Sequence, residues 1–228
     1  MAVGNLNPSN INVRGCFFAF FSDSDNLKDM NKKYIAEFLG TLTLTLAVIA
    51  TLVARPDMTP LVAGLVLLLF VYSIGDISGS HINPAVTIGL FSIKKISGKD
   101  AGYYILSQIL GAFAALFIAS VFIIDLGVKL GVGSHVSSGI AGLAEALGMF
   151  FFTFGIASVV FEKTPNIMNG FVIGGSLLLG ILIASGLGSN GVLNPAVAFM
   201  TGSSDLMYIL GPIIGSAGGF WAYKKISA

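Results

Sequence analysis

Charge is what this sequence lacks. Of its 228 residues only 10% are charged, against about a quarter in an average soluble chain. A water-exposed surface draws roughly 25–35% of its positions from Lys, Arg, Glu and Asp, so the composition excludes an ordinary soluble enzyme and a disordered chain. The 12 basic and 11 acidic residues nearly cancel, leaving +1, and no electrostatic case remains for nucleic acid or another polyanion as partner. Cysteine is almost absent: Cys16 stands alone, which excludes an internal disulfide framework and any multi-cysteine metal site. With two histidines besides, there is no metal cluster, no call for a cofactor and little from which to build a catalytic centre.

What the sequence has in quantity is apolar length. Mean hydropathy is +0.89, and uncharged runs long enough to cross a ~30 Å hydrocarbon core fall at Tyr34–Ala54, Leu61–Ile77, Tyr103–Ile124, Ile140–Phe161, Met168–Gly186 and Met207–Tyr223. Two further apolar stretches, His81–Ile93 and Val192–Thr201, are too short to cross. The 29 glycines suit membrane helices, where small residues let backbones approach. Arg14, Lys28, Lys32, Lys33, Lys94, Lys95, Lys99, Lys163, Lys224 and Lys225 all fall on one side of a six-span layout, with Arg55 and Lys129 on the other. The positive-inside rule makes that first side, and both termini, cytoplasmic. Residues 1–32 read as a cytoplasmic tail. It is either mostly disordered or an interfacial anchor resting Phe17, Phe18, Phe20 and Phe21 in the headgroups.

The two halves of the chain, about 33–125 and 140–226, resemble each other. Glu37 recurs as Glu145, Asn83 as Asn194 and Gly111 as Gly215, at offsets of 108, 111 and 104 residues. Three spans per half is an odd number, so the second half enters from the opposite face. Such an inverted repeat places its site near mid-membrane, between the halves. Within it, Asn83-Pro84-Ala85 and Asn194-Pro195-Ala196 each open a short helix, Asn as N-cap and Pro at the first helical position. Two such half-helices entering from opposite faces bring their N-termini together. Each tip carries about half a positive charge, which opposes cations. The Asn83 and Asn194 amides offer donors to a passing oxygen, and a water bound to both is turned so that proton hopping is interrupted. The fold expected is all-α: six transmembrane helices plus two re-entrant half-helices.

These residues resemble the aquaporin, or major intrinsic protein, family. Ser78-Gly79-Ser80-His81-Ile82-Asn83-Pro84-Ala85-Val86-Thr87 is close to its first signature and Leu193-Asn194-Pro195-Ala196 to its second. Glu37, Gln108, Glu145 and Gly211-Pro212 match as well, and the likeness spans about residues 33–226. It implies a homotetramer in the lipid bilayer, one pore per subunit, passing water or small uncharged solutes such as glycerol or urea without chemistry. Glu37 and Glu145, costly inside a span, read either as a proton relay or, as the resemblance implies, as braces for the re-entrant loops. His81 lies on the cytoplasmic approach, either lining the pore or bonded within its loop. Asp76 either recruits solutes at the vestibule, titrates as a gate, or pairs with a loop lysine. His135 reads as solvated.

The chain departs from the family at one place that adjoins a signature. Most members carry Arg after the second Asn-Pro-Ala; here Val197 follows, and Ala198 after it. Counting from the signatures puts Ala63, Leu182 and Gly191 with Val197 at the outer constriction. Without the guanidinium this ring loses a fixed charge and five donors, so it is wider and less polar. Such a ring either admits bulkier neutral solutes or dewets. A secondary transporter, which also uses inverted repeats, and a poorly conducting structural or adhesive protein are the competing functions.

Overall fold

The computed structural model describes residues 13–125, 138–203 and 205–228. Among them no strand occurs. The elements are α1 (Val13–Ala54), α2 (Thr59–Ser78), α3 (Pro84–Ser92), α4 (Gly98–Asp125), α5 (Ser138–Val160), α6 (Asn169–Gly186), α7 (Pro195–Met200) and α8 (Met207–Ser227). Helices α1, α2, α4, α5, α6 and α8 are the six spans expected. Helices α3 and α7, with 9 and 6 residues, reach only ~14 and ~9 Å at 1.5 Å per residue and therefore stop inside the membrane. Five helices meet the length and hydropathy of a span; α8 matches them in length, while its glycines and Lys224 and Lys225 lower its hydropathy.

One expectation changes. The segment before Tyr34 was open to disorder, yet α1 runs unbroken for 42 residues from Val13. Asp23 to Lys33 ended the apolar run but did not end the helix, because the apolar span itself begins only near Asn31 and charged residues are ordinary helix formers outside it. The side chains of Phe17, Phe18, Phe20 and Phe21, and His135, lie outside the described residues.

Small residues set the packing. A Cβ on Gly64 would strike the Gly174 carbonyl, and one on Gly174 would strike the Gly64 carbonyl, so α2 and α6 cross backbone to backbone. In α8, Gly211, Gly215 and Gly219 each lie against a carbonyl of α5, those of Gly142, Ala146 and Phe150. This is the small-residue seam of membrane helices. Outward, the helices turn large apolar side chains to their surroundings, with Phe117, Phe122 and Ile214 at 73%, 66% and 66% exposure. A perimeter this apolar requires lipid rather than water around it; the chain is an integral, multi-pass membrane protein.

Candidate functional site

The site begins with two strained turns. Ile82 and Leu193, the residues before each Asn-Pro-Ala, sit at φ of 39° and 54°, a left-handed region that costs an L-residue about 1–2 kcal/mol and is rarer still for a β-branched one. Two buried carboxylates hold them there. Glu37 accepts from the backbone N–H groups of His81 (2.9 Å) and Ile82 (2.6 Å), from Ser78 Oγ (2.7 Å) and from Gln108 Nε2 (2.8 Å). Glu145 accepts from the N–H groups of Val192 (2.9 Å) and Leu193 (2.6 Å) and from Ser189 Oγ (2.7 Å). Both are 0% exposed. Every one of these bonds is donated to the carboxylate, so both oxygens act as acceptors in bracing and are occupied by it.

The turns aim their carbonyls across the molecular centre. Asn83 Nδ2 donates to Leu193 O (2.9 Å), and Asn194 Nδ2 donates to Ile82 O (3.0 Å). Each asparagine also caps its own half-helix. Asn83 Oδ1 accepts from Ala85 N (2.9 Å), and Asn194 Oδ1 accepts from Ala196 N (3.1 Å) and Val197 N (3.4 Å). Pro84 and Pro195 take the first helical positions. The two tips thus meet, each tied by a side-chain amide to the loop of the other.

Two cavities adjoin this centre. One, of about 160 Å³, opens away from the lysine-bearing side; Asn83, Asn194, His81, Val48, Ala63 and Leu177 are on its wall, and Thr59, Thr201 and Ser203 border it. Val197, Gly191 and Ala63, placed in one ring from the sequence, do line it together. Leu182 does not. It points outward, 53% exposed, and Ile181 occupies the wall in its place. The ungapped count slipped by one residue in α6. The inward face repeats every four residues, as Ile173, Leu177 and Ile181, and that periodicity was the signal that would have found it.

The second cavity, about 650 Å³, opens on the lysine-bearing side and is bordered by Tyr72, Asp76, Lys95, Asn166 and Asn169. Asp76 is exposed here and, among the described residues, makes no ion pair, so its expected lysine partner is not found. It lies on the last turn of α2 at the wall of the cavity that Lys95 also lines. His81 precedes α3 and is held against it. Its Nδ1 lies 3.1 Å from Thr87 Oγ1 and its ring packs edge-on to Tyr104 at 5.0 Å, while it lines both cavities.

Several participants were not singled out as loop anchors in the sequence. Tyr104 donates to Ser78 O (2.8 Å), and Asn190 N donates to the Tyr208 hydroxyl (3.1 Å), so repeat-related tyrosines hold repeat-related loops. Ser78 and Ser189 turn the loops by accepting from the N–H groups of Ser80 and Gly191. The offset of 104 between the tyrosines, the same as between Gly111 and Gly215, was a readable signal. Phe152 and Leu67, which line both cavities, have no motif to announce them. Among the described residues no three His, Cys, Asp or Glu side chains converge as a metal site would need.

Comparison with known proteins agrees with this architecture. The chain is 37% identical to the glycerol uptake facilitator protein-like 6 of Lactiplantibacillus plantarum, over 81% of this chain and 93% of that protein. It is 31% identical to aquaporin AqpM of Methanothermobacter thermautotrophicus, over 87% of this chain and 98% of that one. Among solved structures, the aquaglyceroporin from Plasmodium falciparum superposes with a TM-score of 0.68 at 22% identity, covering 86% of this chain and 95% of that chain. The model of the family described as Major intrinsic protein matches residues 25–223. With its paired, cross-tied half-helices in an inverted repeat, this chain belongs to the major intrinsic protein family.

Proposed function

We propose that the chain is a passive channel for water and small uncharged solutes, glycerol and urea among them, with its pore running through the two cavities past Asn83 and Asn194. The observation that carries this reading is the pair of capped half-helix tips joined across the centre. Their backbone dipoles converge and leave that point electropositive. A cation meets an unfavourable field there, while a neutral molecule finds amide donors. Relatives named as a glycerol uptake facilitator and as an aquaporin support the same solute range. No residue is asked to make or break a covalent bond, and no cofactor or nucleic acid has a role.

In this reading Asn83, Pro84, Ala85, Asn194, Pro195 and Ala196 form the pore centre, and Val197, Gly191, Ala63 and Ile181 form the outer ring. His81 and Asp76 lie along the inner approach, and Glu37 and Glu145 brace the loops. Residues 33–226 form the channel domain behind a tail of 1–32. The lysine-bearing side faces the cytoplasm, with both termini there, and four subunits assemble, each with its own pore.

Stopped-flow swelling of proteoliposomes tests the proposal. The chain should accelerate water and glycerol entry over empty liposomes. Asn194→Asp should abolish most of that gain, because a carboxylate oxygen would then face the Ile82 carbonyl and its charge would neutralise the helix tips. Swelling no faster than in empty liposomes would overturn the reading.

A further inference from the structure

The two cavities share Leu67, His81 and Phe152, which line both. These three residues mark the level at which the two cavities adjoin, the waist. It lies on the lysine-bearing side of the asparagine pair, opposite to the ring of Val197. The outer ring is made of Ala63, Gly191, Val197 and Ile181, three of them small. The waist is made of a leucine, an imidazole and a phenyl ring. Leu67 and Phe152 are 2% and 1% exposed, so neighbours hold both in place. The imidazole is fixed by Thr87 on one side and the edge of Tyr104 on another.

The inverted repeat gives each of the three a mate in the other half. The turns Pro56–Met58 and Asn166–Met168 set an offset of 110 for α2 against α6, which pairs Leu67 with Leu177. The glutamate offset of 108 pairs Leu44 with Phe152, and the loop offset of 111 pairs His81 with Val192. All three mates, Leu44, Leu177 and Val192, line the outer cavity. There the ring is leucine, leucine and valine, and one cavity passes through it uninterrupted. The waist therefore carries a phenyl ring where its mate carries leucine, and an imidazole where its mate carries valine.

We infer that the selecting constriction of this channel is the Leu67–His81–Phe152 waist on the inner side of the asparagine pair, and that the ring around Val197 is no longer the filter. The inference rests on the channel reading and assigns its specificity to other residues. At the waist a solute meets two apolar walls and one hydrogen-bonding edge, since among the described residues His81 Nε2 has no protein partner. A small molecule carrying up to three polar groups crosses with few left unsatisfied. A longer polyol leaves several hydroxyls unpaired at once, each at a cost. Water, ammonia and glycerol-sized solutes are therefore favoured over four- and five-carbon polyols.

Reciprocal exchange tests this. In proteoliposomes, Phe152→Leu with His81→Val copies the open ring onto the waist and should raise erythritol permeability relative to water by about tenfold, the result of removing a barrier the size of a hydrogen bond. Leu44→Phe with Val192→His builds a second waist and should lower the glycerol-to-water ratio. Helical content and monodispersity in detergent confirm that each variant folds. A ratio unmoved by either exchange overturns the inference. If the wild-type chain conducts neither water nor glycerol, the channel reading fails by itself. Flux appearing in the opened variant then still supports the waist as the barrier, and its absence overturns that too.

Discussion

The two halves of the molecule hold the same backbone frame by different means. In the first half the brace is a polar network: Gln108 Nε2 reaches both Glu37 (2.8 Å) and Thr87 Oγ1 (3.0 Å), and Thr87 in turn meets His81. In the second half the positions matching Gln108 and Thr87 are Pro212 and Ala198, which donate no side-chain hydrogen bond, and Glu145 loses that fourth partner. What replaces the network is proximity. The three glycines of α8 lie on α5 carbonyls, whereas the matching positions of α4 are Ser107, Gly111 and Ala115. One pseudo-symmetric fold therefore shifts its balance: the first half adds the Gln108 network to a single glycine on a carbonyl, Gly111 on that of Phe38, and the second half relies on three such glycines. The first half is the more sensitive to lost polarity, the second to added volume.

Removing the carboxylates gives the largest expected effect. Glu37→Ala orphans four donors and Glu145→Ala three, at about 1–3 kcal/mol for each buried group left unsatisfied. Both variants should lose most folded protein in thermal denaturation in detergent, Glu37→Ala the more. Equal losses would break the asymmetry. Next comes volume. Gly219→Ala and Gly211→Ser, which merely copy the residues found in α4, should each destabilise by about 1–3 kcal/mol through overpacking. A melting temperature unchanged by either would show that the seam is not tight.

Smaller still is Gln108→Leu, expected to cost about 1–2 kcal/mol through its lost charge-assisted hydrogen bond and to loosen only the first half. Hydrogen exchange should rise around Ser80–Thr87 and not around Gly191–Ala198; a rise in both would mean that the halves share one network. The smallest structural disturbance with a functional readout is Val197→Arg. Restoring a large charged side chain to the outer ring should lower glycerol flux more than water flux in the same vesicles, and equal reductions would place that residue away from the solute path.

The fold was largely legible because its anchors are expensive residues. A carboxylate within a span and an Asn-Pro-Ala within an apolar stretch do not recur by drift of composition, so Glu37, Glu145, Asn83 and Asn194 fixed the repeat, the inversion and the short helices. The wall of the site was less legible. Leu182 and Ile181 are chemically alike, and only the rotation of α6 decides which of them faces inward. Asp76 offered a charge without a direction, and its partner depended on a lysine's reach. The ties between each asparagine and the opposite loop could not be read at all, since they depend on left-handed turns at Ile82 and Leu193, residues that ordinarily avoid such turns.

Those ties have a mechanical outcome. A carboxamide nitrogen carries two hydrogens, and at Asn83 and Asn194 one of them is committed to a carbonyl of the other half. Each residue is thereby left a single hydrogen to present inward, locked in direction because its twin is anchored. A molecule at the midpoint is met by a pair of fixed pointers instead of two freely rotating groups, and the half-helices behind them cannot drift apart without breaking both links together.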